Sequence, residues 1–205
     1  MNLNNNFEDI IYDKTLMEST LIAFSETWLD EKTTLNIHGY KSHYNSVGPG
    51  KGLALYYKDG TFQPTDDIKH EKMQISKLKS ANLEVITVYR SEQGNLSEML
   101  EILKNLINPE VTTVVFGDFN ICYLSNRNNK VTKYLEQNEF SQLMKEPTHI
   151  KGRILDHFYF KPGKNISESP SIYRYTPYYS DHDAICGTLK LNEFTLEGVV
   201  SDSSK

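Results

Sequence analysis

The β-prone run TTVVF at 112–116 stops abruptly at Gly117 and Asp118, and the same pattern of an apolar run emptying into a polar cluster recurs along the chain. LIAF at 21–24 runs straight into Ser25 and Glu26, and Asp181, His182 and Asp183 immediately precede another apolar run that begins at Ala184. A strand that carries side chains out of a core onto a loop places polar groups on a rigid support. Glu26, Asp118 and Asn120, and Asp181 with His182 are therefore the first candidates for chemistry.

The remaining pattern predicts a mixed architecture. Phe7, Ile10, Ile11 and Met17 fall at helical spacing over 7–17, and Asn95 is placed to cap a helix in which Leu96, Met99, Leu100, Leu103, Leu106 and Ile107 keep a 3.6-residue period. A further helix is predicted over 131–143. Strands are predicted at 52–57, 73–78, 83–89, 154–160 and 184–191. Such mixing points to layered α/β or α+β structure with sheets at the centre. With 205 residues, no repeat and no Gly/Ser/Pro-rich linker, one domain over 1–196 with a flexible tail over 197–205 is the expected organisation.

Composition narrows the functional classes. A net charge of −5 argues against a protein that coats nucleic acid, but not against an enzyme that gathers carboxylates around a metal ion. The 2 cysteines, Cys122 and Cys186, exclude a disulfide framework or a zinc ribbon and favour an intracellular site, nuclear or cytoplasmic. No apolar run reaches membrane-spanning length, so no membrane association is expected.

Hard cations such as Mg²⁺ take carboxylate oxygens from a few protein ligands, which Glu26, Asp118 and Asp181 could supply. His182 lies inside an acidic cluster, which favours its protonated form beside a phosphate. Asp156, at the start of another strand, could orient it. Taken singly, each feature has a commoner reading: Gly-Asp after a strand is usually a turn, a lone Glu a cap, Ser-Asp-His a capped turn, and Tyr89 a core-edge aromatic. Their co-occurrence at successive strand ends is what argues for a site.

FSETWL, GKGLALYYK, VYRS, VVFGDFN, ILDHFYF and YSDHDAI occur in that order. Together they resemble the successive motifs of the endonuclease/exonuclease/phosphatase superfamily, the deoxyribonuclease I-like fold, over roughly residues 3–191. The resemblance is nearest to the endonuclease domains of non-LTR retrotransposons and related mobile elements. It implies a four-layer sandwich of two packed, mainly antiparallel β-sheets flanked by helices. It also implies Glu26, Asp118 and Asp181 at a Mg²⁺ site, with Mn²⁺ as a substitute. Asp118 would activate the attacking water, Asn120 would hold the scissile phosphate, and His182 paired to Asp156 would stabilise the developing charge, with Tyr89 at the phosphate.

Two departures stand out. Only Met1 and Asn2 precede the stretch that follows the family's usual first strand, so that strand and its metal-organising Asn are expected to be missing. VYRS continues with Glu92 where the family has Pro. The leading functional expectation is a metal-dependent endonuclease nicking double-stranded DNA, part of a larger mobile-element polyprotein. Arg90, Lys151, Arg153 and Arg174 are the candidate nucleic-acid contacts. The last three belong to a stretch from Lys145 to Arg174 with six basic residues against three acidic ones. The alternatives are a phosphatase or phosphodiesterase acting on a lipid headgroup or small phosphate ester, and a catalytically impaired nucleic-acid-binding module.

Overall fold

The computed structural model describes residues 3–29, 33–48, 51–163 and 168–190. The expected tail at 197–205 lies outside the described residues. Two short helices, α1 (Phe7–Tyr12) and α2 (Lys14–Glu18), lead into β1 (Leu21–Ser25). Then follow β2 (Tyr40–Asn45), β3 (Leu53–Lys58), β4 (Gln63–His70), β5 (Met73–Lys79) and β6 (Leu83–Arg90). Helix α3 (Leu96–Leu106) joins β6 to β7 (Thr112–Asp118). Helix α4 (Lys130–Gln137) precedes β8 (Ser141–Gln142), β9 (Asp156–Lys161), β10 (Ser171–Tyr175) and β11 (Ala184–Thr188).

Six strands form one sheet in the order β4-β5-β6-β7-β9-β8. All its pairs are antiparallel except β6 with β7. A parallel pair needs a crossover, and α3 supplies it. A three-stranded sheet, β1-β3-β2, and a two-stranded sheet, β10-β11, complete the set.

The apolar residues define the layers. Ile86, Val88 and Val115 pack with Met99, Leu103, Val131 and Leu135 of α3 and α4. Their strand neighbours Val85 and Val114 point the other way and pack with Leu55 and Tyr57 of β3. Ala54 and Tyr56 then face Ile10 and Leu16 of α1 and α2. Helices, sheet, sheets and helices therefore stack as the expected four-layer sandwich. Strands buried on both faces read as continuous apolar runs, which is why β3, β6 and β7 are legible as strands.

The predicted helix over 7–17 is broken in two. Asp13 has extended backbone and its carboxylate accepts from Thr15 N and Leu16 N, capping α2. The helix predicted to reach residue 143 stops at Gln137, because Asn138 caps it and Glu139 adopts φ 67°. Among the described residues β1 pairs only with β3 and β11 only with β10. Between these two one-sided strands lies a cavity of about 590 Å³ that extends to Asp118, Asp156 and His182.

Candidate active site

Register brings three candidates into one row. Tyr89 is opposite Asp118 in the β6–β7 ladder, and Asp118 is opposite Asp156 in the β7–β9 ladder. All three stand at the same end of the interior strands β6, β7 and β9. Glu26, just past β1 in the facing sheet, accepts the Tyr89 hydroxyl at 2.8 Å. Burial and the Glu26 carboxylate both push the Tyr89 pKa up, so the phenol stays a donor.

Asp118 is 3% exposed. Its carboxylate accepts the Asn120 backbone N–H at 2.9 Å and the Asn120 side-chain amide at 3.1 Å. The second proton of that amide goes to the Arg90 carbonyl at 2.9 Å. Both Nδ2 protons are thus used inside the protein, and Asn120 orients Asp118 where the family resemblance has it holding phosphate. Burial, followed by the nearby Asp156 charge, raises the Asp118 pKa well above the ordinary carboxylate range.

Asp156 meets His182 Nδ1 at 2.7 Å. Burial works against the imidazolium, but the hydrogen bond to Asp156 and the charges of Asp156, Asp118 and Asp181 outweigh it, and the His182 pKa is pushed up to about 9. At neutral pH His182 is a cation whose Nε2–H remains available. Ser180 Oγ accepts the His182 backbone N–H at 3.1 Å, so the expected capped turn is present and serves the site.

Thr148, which sequence reasoning passed over, ties the two halves of this pair together. Its hydroxyl accepts Leu155 N and Asp156 N, each at 3.1 Å, while its carbonyl accepts Asp183 N at 2.7 Å. His149 was missed as well. Its ring stands edge-on to His182 with centroids 4.8 Å apart, and its Nε2 is 3.7 Å from Asp181. The ring's Nδ1 accepts Lys151 N at 3.0 Å, so in neutral His149 the proton sits on Nε2. That tautomer makes His149 a donor toward Asp181 and unsuited to ligate a metal through the same atom. The signal for both lay in the sequence: PTH at 147–149 is part of the stretch that ends in Asp156.

The metal ligands expected from sequence are only partly gathered. Among the described residues, Asp118, Asp156 and His182 bring ligand atoms within 4.8 Å of one another, and so do His149, Asp181 and His182. Glu26 joins neither group, although it lines the same cavity as Asp118 and Asp156. Glu26, Asp118 and Asp156 nevertheless line one cavity, and carboxylate oxygens are the donors that a hard divalent cation takes.

The candidate nucleic-acid contacts divide. Arg90 is buried at 4% exposure. Its guanidinium donates to the carbonyls of Phe119 at 2.7 Å, Glu92 at 3.2 Å, Gly94 at 2.6 Å and Asn120 at 2.9 Å. It braces the loop that carries Asn120, and presents no surface to a phosphate. Arg174 is held by Glu146 and Asp183. Arg153 lies 3.8 Å from Glu92, the residue that replaces the family's Pro. Lys151 is exposed. Replacing Arg90 by Lys keeps the charge but not the planar fork. We expect Arg90→Lys to cost about 2 kcal/mol, a fall of about 4–8 °C in Tm by thermal unfolding. An unchanged Tm would contradict the bracing role.

Among the described residues, three of the four non-glycine residues with positive φ flank this site: Glu26 at 52°, Trp28 at 58° and Asn120 at 49°. Such conformations cost of order 1–3 kcal/mol each and persist only where the surroundings impose them. Here the Leu3 N–H to Thr27 carbonyl bond at 2.9 Å and the side-chain bonds of Asn120 do so.

Comparison with known proteins agrees with this fold. An AP endonuclease from Archaeoglobus fulgidus superposes with TM-score 0.71 at 13% identity, covering 93% of this chain and 96% of that one. The endonuclease domain of TRAS1, a telomere-specific non-LTR retrotransposon, gives 0.65 at 13% identity, covering 91% and 93%. A humanized D. rerio TDP2 gives 0.62 at 12% identity, covering 90% of each chain. At these identities the likeness is one of fold. No curated protein matches the sequence. The sequence itself matches the Endonuclease/Exonuclease/phosphatase family over residues 2–182, so the chain belongs to that family.

Proposed function

We propose that this chain is a divalent-metal-dependent phosphodiesterase that nicks double-stranded DNA by in-line attack of an activated water. The observation that carries the reading is the pairing of a buried, amide-oriented Asp118 with the Asp156–His182 ion pair at one end of the interior strands. Phosphodiester hydrolysis needs an aligned nucleophile, neutralised phosphoryl oxygens and help for the leaving oxygen. Asp118, held by Asn120, accepts a proton from water and fixes its line of attack. His182 donates its Nε2–H to a phosphoryl oxygen, and Asp156 keeps that imidazole charged and aimed. The Tyr89 hydroxyl, a donor held against Glu26, sits in the same row. Glu26, Asp118 and Asp181 are the residues that would hold Mg²⁺ or Mn²⁺, which would supply charge neutralisation at the phosphoryl oxygens.

The mobile-element character rests on the ETWL, GDFN and SDH motifs and is in keeping with the TRAS1 domain among the similar folds. A larger polyprotein and a nuclear or cytoplasmic location belong to the same reading. No helix among the described residues is long and apolar enough to cross a membrane.

The test is incubation of the purified chain with supercoiled plasmid and Mg²⁺ or Mn²⁺, beside an Asp118→Ala/His182→Ala variant. Metal-dependent nicking that the variant loses supports the reading. Phosphate release from small esters without nicking would replace it with the small-ester phosphatase, and inactivity of a well-folded protein on every substrate would leave a binding module. Binding to the native state also stabilises it by mass action. For a dissociation constant near 1 mM, about 10 mM Mg²⁺ should add about 1.4 kcal/mol and raise Tm by about 3–5 °C. A Glu26→Gln variant should lose most of that rise in a thermal-shift measurement.

A further inference from the structure

Beside the site the chain holds a large apolar side chain on the outside. Trp28, the only tryptophan, is 52% exposed, whereas its neighbours Thr27 and Leu29 are 1% and 2% exposed. For Thr27 and Trp28, burial alone would choose the opposite, since an indole removes far more apolar area from water than a threonine does. Thr27 also keeps a buried Oγ1 with no hydrogen-bond partner among the described residues. The backbone enforces this inversion. Trp28 sits at φ 58°, an outlier for a bulky residue. On one side the Thr27 carbonyl accepts Leu3 N at 2.9 Å, and on the other the Leu29 carbonyl accepts Ser46 Oγ at 3.3 Å. Of the exposed large apolar residues among those described, only Trp28 has positive φ. Backbone strain of this kind clusters where a ligand is held.

Trp28 lies two residues past Glu26, whose carboxylate holds the Tyr89 hydroxyl at one end of the row formed by Tyr89, Asp118 and Asp156. Two residues of chain span at most about 7 Å, and stacked DNA rises about 3.4 Å per nucleotide. The indole is therefore within reach of bases about two nucleotides from a phosphate at the row. Cations that a paired duplex would use there are committed elsewhere: Arg90 to four backbone carbonyls, and Arg174 to Glu146 and Asp183. Among the described residues no Lys or Arg lines the cavity onto which Asp118 opens. An indole carries no charge and a single N–H donor, so it offers a phosphate little. What it offers is a flat aromatic face.

We propose that Trp28 is a stacking platform for an unpaired nucleobase, and that the site prefers duplex DNA with an unstacked base beside the scissile phosphate to a fully paired duplex. In a paired duplex the faces of each base are covered by its neighbours, so only an unpaired base can present one to the indole. Stacking on an aromatic side chain accepts any base and is worth about 5- to 150-fold in affinity. It supplies sequence-tolerant binding where free cations are scarce. The inference rests on the nuclease reading for its substrate, but its readout is binding.

Because the chain has one tryptophan, its emission reports on this position alone. The experiment titrates the full chain, in EDTA so that nothing is cut, with two labelled oligonucleotide duplexes of the same flanking sequence. One is fully paired and the other carries a two-adenine bulge; the acidic site repels both alike. The expected result is saturable quenching of tryptophan emission by the bulged duplex, with anisotropy showing it bound about tenfold or more tighter than the paired one. Trp28→Ala should bind the two duplexes within about twofold of each other, while Trp28→Phe, which keeps a ring, should retain a preference of about threefold or more. Equal affinity of the parent for the two duplexes would overturn the proposal, as would a full preference in a folded Trp28→Ala variant. A blue shift of the emission with phosphatidylcholine vesicles, and no response to the bulged duplex, would make the indole a membrane contact and overturn it equally. Plasmid nicking without the preference would sink this inference and leave the nuclease reading standing. The preference without nicking in any metal would do the reverse.

Discussion

Removing the His182 imidazole is expected to lower the plasmid-nicking rate by about 10²–10³-fold, the usual loss when one preorganised charge-stabilising donor is deleted. The pH profile should identify the cause. With its pKa pushed up to about 9 from an ordinary 6.5, His182 stays charged through neutral pH, so the rate should hold and then fall as pH passes about 9. Burial alone would have moved it the other way. The Asp156 hydrogen bond at 2.7 Å is the main opposing contact, so Asp156→Asn should bring the fall down toward pH 6.5 or below. Stability follows the same linkage. A histidine pKa raised by folding contributes fully below the unfolded value near 6.5 and loses that contribution as pH rises through about 9. At 1.36 kcal/mol per pH unit this is worth about 3 kcal/mol in the metal-free protein. An Asp156→Asn enzyme with an unshifted upper limb would rule out the ion pair as the source of the charge on His182.

The strand ends proposed to carry this chemistry could be read from sequence because their strands are buried on both faces. TTVVF at 112–116 and LEVITVY at 83–89 have no other way to satisfy so much apolar surface, and Asp118 and Tyr89 follow from where those runs end, while Asp156 follows from where the run in ILDHFYF begins. Strands β2, β4 and β10 were not predicted, for the opposite reason. β4 lies at an edge with nearly every side chain exposed, and Pro64, a register shift beside it and Asp66 and Asp67 give it a loop's composition. Arg90 misled because an arginine next to a catalytic motif looks like a phosphate contact, and only the fold reveals four carbonyls converging on it. Thr148 and His149 act on residues that lie close in space but far along the chain. No local pattern could assign their partners. The same limit applies to the cavity between β1 and β11, whose two walls come from opposite ends of the sequence.

Gly117 immediately precedes Asp118 near the end of β7, and it tests whether that strand end tolerates any slack. Its φ is +132°, a region L-residues rarely adopt, and a Cβ added there would stand 2.0 Å from the Val88 carbonyl oxygen. That oxygen belongs to backbone in the parallel β6–β7 ladder, where Val88 is opposite Gly117, so it cannot swing aside as a side-chain tip would. Gly117→Ala must therefore either part the two central strands or rotate the peptide that leads to Asp118. Strain at a glycine-only conformation and backbone overlap add, and a loss of about 3–5 kcal/mol is expected, a fall of about 6–20 °C in Tm at this chain length. Movement of Asp118 by even about 1 Å would cost about 10²-fold in rate in whatever fraction remained folded. The two effects separate by measuring nicking well below the variant's own Tm. A rate per folded molecule equal to the parent would mean that Gly117 serves the ladder alone. A rate down by two orders of magnitude would mean that the placement of Asp118 depends on the close approach of β6 and β7, which only a residue without a Cβ allows.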